Sequence, residues 1–283
     1  MSSEPLLTVV GSINIDLTST VGDFPRPGET VLAERALARE LGGKGANQAR
    51  AAARLTGRAR MIGAVGGDIE GDLALDQLSA AGVDVSGIVR KQQPTGLAMI
   101  TLNRAGENTI VVNAGANQAL RPADIKLAPT EATLCQLEIP IDCVTAAARQ
   151  STGFFSVNAA PARHLHDEIL DASDLIIVND TEYEALPELR DARCVAVTSG
   201  ARGAAIYRGG ELSTRVDAFP ATVVNTVGAG DAFCAALTIC LARGDSEADA
   251  LRIACAVGAA AVEDPRSQPE LGPLASYGQA LTA

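Results

Sequence analysis

Short apolar runs alternate along this chain with alanine-rich stretches of helical period. The runs at 6–10, 60–65, 132–137, 154–157, 174–178 and 194–198 read as strands buried on both faces. The stretches at 45–55, 70–81, 142–150, 165–172, 229–242 and 247–262 read as helices. A strand that feeds a helix and returns parallel to itself does so through a right-handed crossover. The pattern therefore predicts an α/β fold with a mainly parallel central sheet between two helical layers. At 283 residues the chain is long enough for one such domain spanning 1–283.

Two segments break the rhythm. Residues 15–40 hold alternating polar positions around Pro25-Arg26-Pro27-Gly28-Glu29. Residues 95–112 read as a hairpin, with strands at 96–103 and 108–112 and a turn at Arg104-Ala105-Gly106-Glu107. Together they predict a small separate β-sheet against the main body. Between Asn179 and the strand at 194 the chain has little length for a crossover, so a helix over 182–190 is expected, with Pro187 inside it.

Composition excludes several functions. A formal net charge of −11 argues against nucleic acid or an anionic membrane as partner. The start, Met1-Ser2-Ser3-Glu4-Pro5, carries no basic segment, and the apolar run after it is too short for a leader or a span, which predicts a cytoplasmic protein. Cys135, Cys143, Cys194, Cys234, Cys240 and Cys255 form no Cys-x-x-Cys pair, and several lie in apolar runs; buried free thiols are expected. His164 and His166, in a polar stretch, are poor material for a Ser-His-Asp or zinc mechanism.

In open α/β sheets ligands bind beyond the carboxyl ends of the strands. Those ends carry Asn14 and Asp16, Glu138, Asn158, Asn179, and Thr198-Ser199-Gly200. Ordinary turns also favour such residues, but several in register point to one pocket. Asp16 and Glu138 accept hydrogen bonds and Asn14 both donates and accepts, which suits a neutral polyol better than a sugar phosphate. Gly42-Gly43-Lys44-Gly45-Ala46-Asn47 lets backbone approach a ligand and adds donors at Lys44 and Asn47; with Gly after the lysine it is not a P-loop. Asn179-Asp180-Thr181-Glu182 reads either as a capped helix start or as a water-mediated magnesium site. Thr198-Ser199-Gly200-Ala201-Arg202-Gly203 can wrap outer phosphates.

One stretch carries the chemistry. In Asn225-Thr226-Val227-Gly228-Ala229-Gly230-Asp231, small residues precede an aspartate where a helical pattern starts. Such a turn aims main-chain N–H groups and the positive end of a helix at one point. A carboxylate there either caps the helix or takes a proton from a hydroxyl while the N–H groups hold a phosphoryl group in transfer.

Taken with Gly11-Ser12-Ile13-Asn14-Ile15-Asp16, Phe24-Pro25-Arg26-Pro27-Gly28-Glu29-Thr30, Gly42 through Gln48, Gln136-Leu137-Glu138 and Asn158-Ala159-Ala160-Pro161-Ala162, the motif resembles the ribokinases of the PfkB family of sugar kinases over nearly the whole chain. The resemblance implies a ribokinase-like three-layer α/β/α sandwich with a β-sheet lid at about 15–40 and 95–112, which also pairs subunits into a homodimer. It implies sugar binding by Asn14, Asp16, Gly42, Gly43, Lys44, Asn47 and Glu138, with Asp231 as catalytic base beside an anion hole of Gly228, Ala229 and Gly230. ATP contacts would fall at Asn179, Thr198, Ser199, Gly200, Ala201, Arg202, Gly203 and Gly230, and Glu182 would reach Mg²⁺ through water. The implied reaction is transfer from ATP to the primary hydroxyl of D-ribose. Rivals are kinases for deoxyribose, another pentose or hexose, or a nucleoside, and a catalytically silent sugar-binding protein. Scarce aromatics tell against the nucleoside, and Asp231 tells against the silent protein. Asn225 and Val227 fall at a monovalent-cation site, but the family usually has Asp where Asn225 stands, and the loop Glu263-Asp264-Pro265-Arg266-Ser267-Gln268 is altered as well. Weak or absent potassium activation is therefore expected.

Overall fold

A computed structural model describes residues 5–105, 107–129 and 132–279. Its strands are β1 (Leu7–Val10), β2 (Asn14–Thr20), β3 (Ala38–Gly42), β4 (Ala59–Gly66), β5 (Val83–Lys91), β6 (Gly96–Leu102), β7 (Asn108–Asn113), β8 (Ala132–Gln136), β9 (Phe154–Asn158), β10 (Leu175–Asn179), β11 (Val195–Thr198), β12 (Ala204–Arg208) and β13 (Glu211–Val216). The helices are α1 (Lys44–Thr56), α2 (Ile69–Ala80), α3 (Ala116–Ala119), α4 (Ile141–Gln150), α5 (Asp167–Ala172), α6 (Asp180–Ala185), α7 (Ala229–Arg243), α8 (Glu247–Glu263) and α9 (Leu274–Gln279).

The large sheet runs β13-β12-β11-β10-β9-β8-β1-β4-β5. Seven of these strands are parallel, and β12 and β13 form an antiparallel edge. Alternate strand residues enter opposite layers, as the pleat requires. Val9, Leu134 and Ile177 pack with α1, α7 and α8, while Val10, Cys135 and Ile176 pack with α4 and α5. Helix α7 is buried from Ala232 to Cys240 because it is apolar on every side. All six cysteines are buried and free.

Strand order reverses between β1 and β8. The chain grows from β1 to β4 and β5 on one side, and from β8 through β13 on the other. Loops leaving adjacent strands at such a reversal diverge and open a crevice. The smaller sheet, β3-β2-β6-β7, stands over that crevice, with β2 parallel to β6 and the other pairs antiparallel.

Three readings need correction. Asn14 and Asp16 do not end the first strand: β1 stops at Val10, and these residues open β2 in the small sheet. The helix expected over 182–190 ends at Ala185, and a 3-10 turn follows over Pro187–Asp191. Proline lacks an N–H and crowds the residue before it, so the helix cannot continue through it. The helix expected from 165 starts only at Asp167, after His166. Gly106, in the expected hairpin turn, lies outside the described residues.

Candidate functional site

Helix α7 starts at Gly228, whose φ of 79° no other residue type adopts without strain; a Cβ there would also lie 2.4 Å from the Ser267 carbonyl oxygen. No side chain caps this helix. The Ala232 N–H donates back to the Gly228 carbonyl at 2.9 Å, so the amides of residues 229–231 stand ahead of the helical ladder at its positive end. Space above them is open, since a Cβ added to Gly230 would meet nothing within 4 Å.

Asp231 is the third residue of this helix and does not cap it. Asn47 Nδ2 donates to its Oδ2 at 3.0 Å, and Gln48 Nε2 donates to its Oδ1 at 3.0 Å. Burial pushes its pKa up to about 6, against the lowering effects of Lys44, Asn47 and Gln48; Glu138 adds to the rise. For Lys44, burial alone would lower the pKa, but the carboxylates of Asp231, Glu138 and Glu182 outweigh it and the ammonium is stabilised.

Glu138 follows β8 and lies at the crevice between β8 and β1. Its Oε2 accepts from Ser12 Oγ at 2.5 Å and from the Lys44 N–H at 3.0 Å, which ties the loops after β1 and β8 to the start of α1. Asp16 stands on β2 with its carboxylate where a Gly42 side chain would be: a Cβ on Gly42 would fall 2.1 Å from its Oδ1. Burial, then Glu138 and Glu40, push the Asp16 pKa up to about 6. Asn14 Oδ1 accepts from Asn117 Nδ2 at 2.8 Å, and Asn117 is itself locked by both main-chain polar groups of Ile13.

A cleft of about 950 Å³ unites these groups. Asn14, Asp16, Gly43, Lys44, Asn47, Glu138 and Asp231 line one part of it, and Asn179, Glu182, Thr198, Asn225, Val227, Gly228 and Gly230 line another. Gly42 lies behind Asp16, and Ala229 sits within the first turn of α7. The cleft wall does not include residues 199–203. Gly200–Arg202 form a 3-10 turn, with Gly203 after it, and Asp180 holds that turn by accepting from Ser199 Oγ at 2.7 Å and from Arg202 at 2.6 Å. Asn179 and Glu182 form a reciprocal capping box at α6. Only Glu182 Oε2 is engaged there, by the Asn179 N–H, so the carboxylate keeps capacity toward the cleft. Asn225 closes on its own surroundings: its Oδ1 accepts from the Val227 N–H at 3.0 Å, and its Nδ2 donates to the Pro265 carbonyl at 3.1 Å.

Gln48, Asn117 and Gln268 carry no role in the sequence reading. Gln48 stood only as the last residue of the Gly42–Gln48 motif and Gln268 only as the last residue of the altered loop at 263–268, and nothing marked Asn117; the contacts of all three come from tertiary structure.

A carboxylate beside free amides at a helix start, facing an acid-lined pocket beyond the ends of parallel strands, defines a phosphotransferase acting on a sugar hydroxyl. The chain belongs to the pfkB family of carbohydrate kinases, which it matches over residues 4–271. It is 32% identical over 256 residues to a ribokinase from Staphylococcus aureus, covering 81% of this chain and 84% of that protein. The structure resembles ribokinase from Thermotoga maritima with a TM-score of 0.89 at 28% identity, covering 99% of this chain and 100% of that one. It also resembles Arabidopsis thaliana ribokinase complexed with ribose and ATP, with a TM-score of 0.86 at 28% identity and 99% of each chain covered.

Proposed function

We propose that this chain transfers the γ-phosphoryl group of ATP to the primary hydroxyl of D-ribose, giving ribose 5-phosphate and ADP. The observation that carries the reading is the Asp231 carboxylate, held by Asn47 and Gln48 at the mouth of α7 and facing the same cleft as Asp16 and Asn14. The ribose and ATP bound to the Arabidopsis relative agree with it.

Asp231 takes the hydroxyl proton as the new O–P bond forms and the bond from the γ-phosphorus to the leaving ADP oxygen breaks. The amides of Gly228, Ala229 and Gly230, with Lys44 nearby, meet the negative charge on the group in transfer. Asp16, Glu138, Asn14 and Asn47, with the backbone of Gly42 and Gly43, hold the sugar so that one hydroxyl faces Asp231. Asn179, Thr198 and the turn through Gly203 serve the nucleotide, and Arg202 reaches its outer phosphates by exchanging Asp180 for them. Glu182 fits a hydrated Mg²⁺, which when bound would neutralise phosphate charge; one carboxylate facing a polar cleft is what such an ion uses. The small sheet, at about 15–40 and 95–112, serves as a lid and as the surface that pairs two subunits. Among the described residues no helix is long and apolar enough to cross a membrane, and a cytoplasmic enzyme fits the free thiols.

The test is ATP turnover against a panel of ribose, 2-deoxyribose, fructose and adenosine, with the phosphorylated product identified. Ribose is expected to give the highest kcat/KM. A preference for deoxyribose or a nucleoside would overturn the substrate, and no sugar-dependent turnover would overturn the reaction.

A further inference from the structure

The Asp231 carboxylate ends a hydrogen-bonded chain that begins behind the cleft. Arg50 Nη1 donates to Gln268 Oε1, Gln268 Nε2 donates to Asn47 Oδ1 at 2.8 Å, and Asn47 Nδ2 donates to Asp231 Oδ2 at 3.0 Å. A guanidinium offers only donors, and an ionised carboxylate only acceptors. Two amides strung between such ends have one arrangement in which every donor meets an acceptor. The ends therefore decide which way Gln268 and Asn47 point. A second arm works alike: Asn158 Nδ2 donates to the Ile177 carbonyl, Asn158 Oδ1 faces Gln48 Nε2, and Gln136 Nε2 donates to Gln48 Oε1, so Gln48 too must offer its amide hydrogens to Asp231.

Gln268 lies behind Asn47, in the loop after α8, and is 7% exposed. Water does not stand in readily for a partner lost there. The loop is pinned on both sides of it, with Asp264 accepting from Arg266 and from the Glu270 N–H, and Glu270 meeting Arg50 and Arg54.

We propose that Gln268, backed by Arg50, is a positioning residue for the reaction: it holds Asn47 as a donor and thereby fixes the Asp231 carboxylate in place. The proposal rests on the reading of Asp231 as the base. Without Gln268, Asn47 is free to turn its oxygen toward the carboxylate, which loosens the base and favours its protonated form. The charged groups facing Asp231 are Lys44 from α1 and Glu138 from the loop after β8; the Cys234 thiol faces it from α7 itself, and Glu182 of α6 faces Lys44. A change at 268 alters none of them.

The test is a cycle of Gln268→Met, Arg50→Met and the double variant, with two readouts. One is kcat/KM for ribose against pH; the other is the carboxyl carbon-13 NMR titration of Asp231, which needs no substrate. Gln268→Met is expected to lower kcat several-fold and to move both the acid limb and the NMR midpoint upward, by roughly half to one pH unit for one lost donor. Arg50→Met should shift them the same way, and the double variant should match Gln268→Met, because Arg50 acts through it. Gln268→Glu, of equal size, takes the Asn47 amide for itself and should shift the midpoint further. An unmoved midpoint in folded Gln268→Met, or in Gln268→Glu if the methionine variant does not fold, overturns the proposal. So does an Arg50→Met effect that persists in full without Gln268, since the arginine then acts by charge alone. Failure of the wild type to phosphorylate ribose is a separate result, and the NMR midpoint still decides the relay.

Discussion

At the scale of single residues the site combines stabilised and strained chemistry. Asp231 is held ionised at neutral pH although burial pushes its pKa from the usual 3.8 to about 6. Asp231→Asn is expected to cut turnover by about 10²–10⁴, the usual worth of a general base, while ribose still binds in a calorimeter. The same shift has a stability consequence. Between pH 3.8 and about 6 the folded wild type binds more protons at this residue than the unfolded chain does, so its stability falls as pH rises through that window. The asparagine variant has no such term. Urea unfolding at pH 4 and pH 7.5 should show the variant gaining on the wild type by about 1–3 kcal/mol at the higher pH; a difference that does not change with pH would contradict the shift. Asn225 makes a second residue-scale prediction. Its amide already satisfies the Pro265 carbonyl and the Val227 N–H, and it brings no charge to attract a cation. Replacing sodium by potassium should leave kcat nearly unchanged, and Asn225→Asp should make the enzyme potassium-responsive. A large potassium effect on the wild type would refute this.

At the scale of elements, two glycines in one turn have opposite jobs. Gly228 serves the backbone: a side chain there meets a positive φ and the Ser267 carbonyl. Gly228→Ala should cost about 1–3 kcal/mol of stability or more. Gly230, on the proposed reading, serves the ligand: it lines the cleft, and a side chain there meets open space. Gly230→Val should melt within a degree or two of the wild type, a surface change being worth about 0.5 kcal/mol, yet lose most of its turnover, because the added carbon atoms fill the seat of the transferred group. Equal losses of stability in the two variants would reject that division. Elements that bury a continuous apolar run were legible in the chain, as β1, β4, β8, β9, β10 and β11 show, and so were the helices that pack on them. Strand β5 was not, because its residues are half-exposed and interrupted by Gly87. The hairpin of β12 and β13 was missed although Gly209-Gly210, both at positive φ, join the two strands and signal a tight turn. The turn before α7 was legible because its residues are contiguous in the chain. Arg50, Gln268 and Asn117 were not, because each acquires its role from a partner more than a hundred residues away.

At the scale of the whole molecule, the small sheet poses a problem that one chain leaves unsolved. Strand β7 is exposed along its length and lies at the sheet edge. Ile110 and Val112, on the side that faces the cleft, are 53% and 56% exposed, and their neighbours Ile100 and Leu102 extend the same apolar surface. A long apolar edge strand left bare invites pairing with another chain unless something covers it. A second copy offers the same surface, and a two-fold arrangement buries both at once. Covering it this way would also fix the height of the sheet over the cleft, because Asn14 and Asp16 stand on β2, two strands away in the same sheet. In the proposed dimer, pairing and substrate binding would then be linked, so that loosening the pair would loosen the small sheet over the cleft. Wild type is expected to sediment as a dimer at micromolar concentration. The double variant Ile110→Lys/Val112→Lys, which places four like charges in the paired surface, should sediment as a monomer and show a raised KM for ribose with a smaller change in kcat. Nothing in the main core touches these side chains, so its melting temperature should stay near that of the wild-type protein diluted to monomer. A wild type that sediments as a monomer, or a monomeric variant with unchanged KM, would break the link between the edge strand and the sugar site.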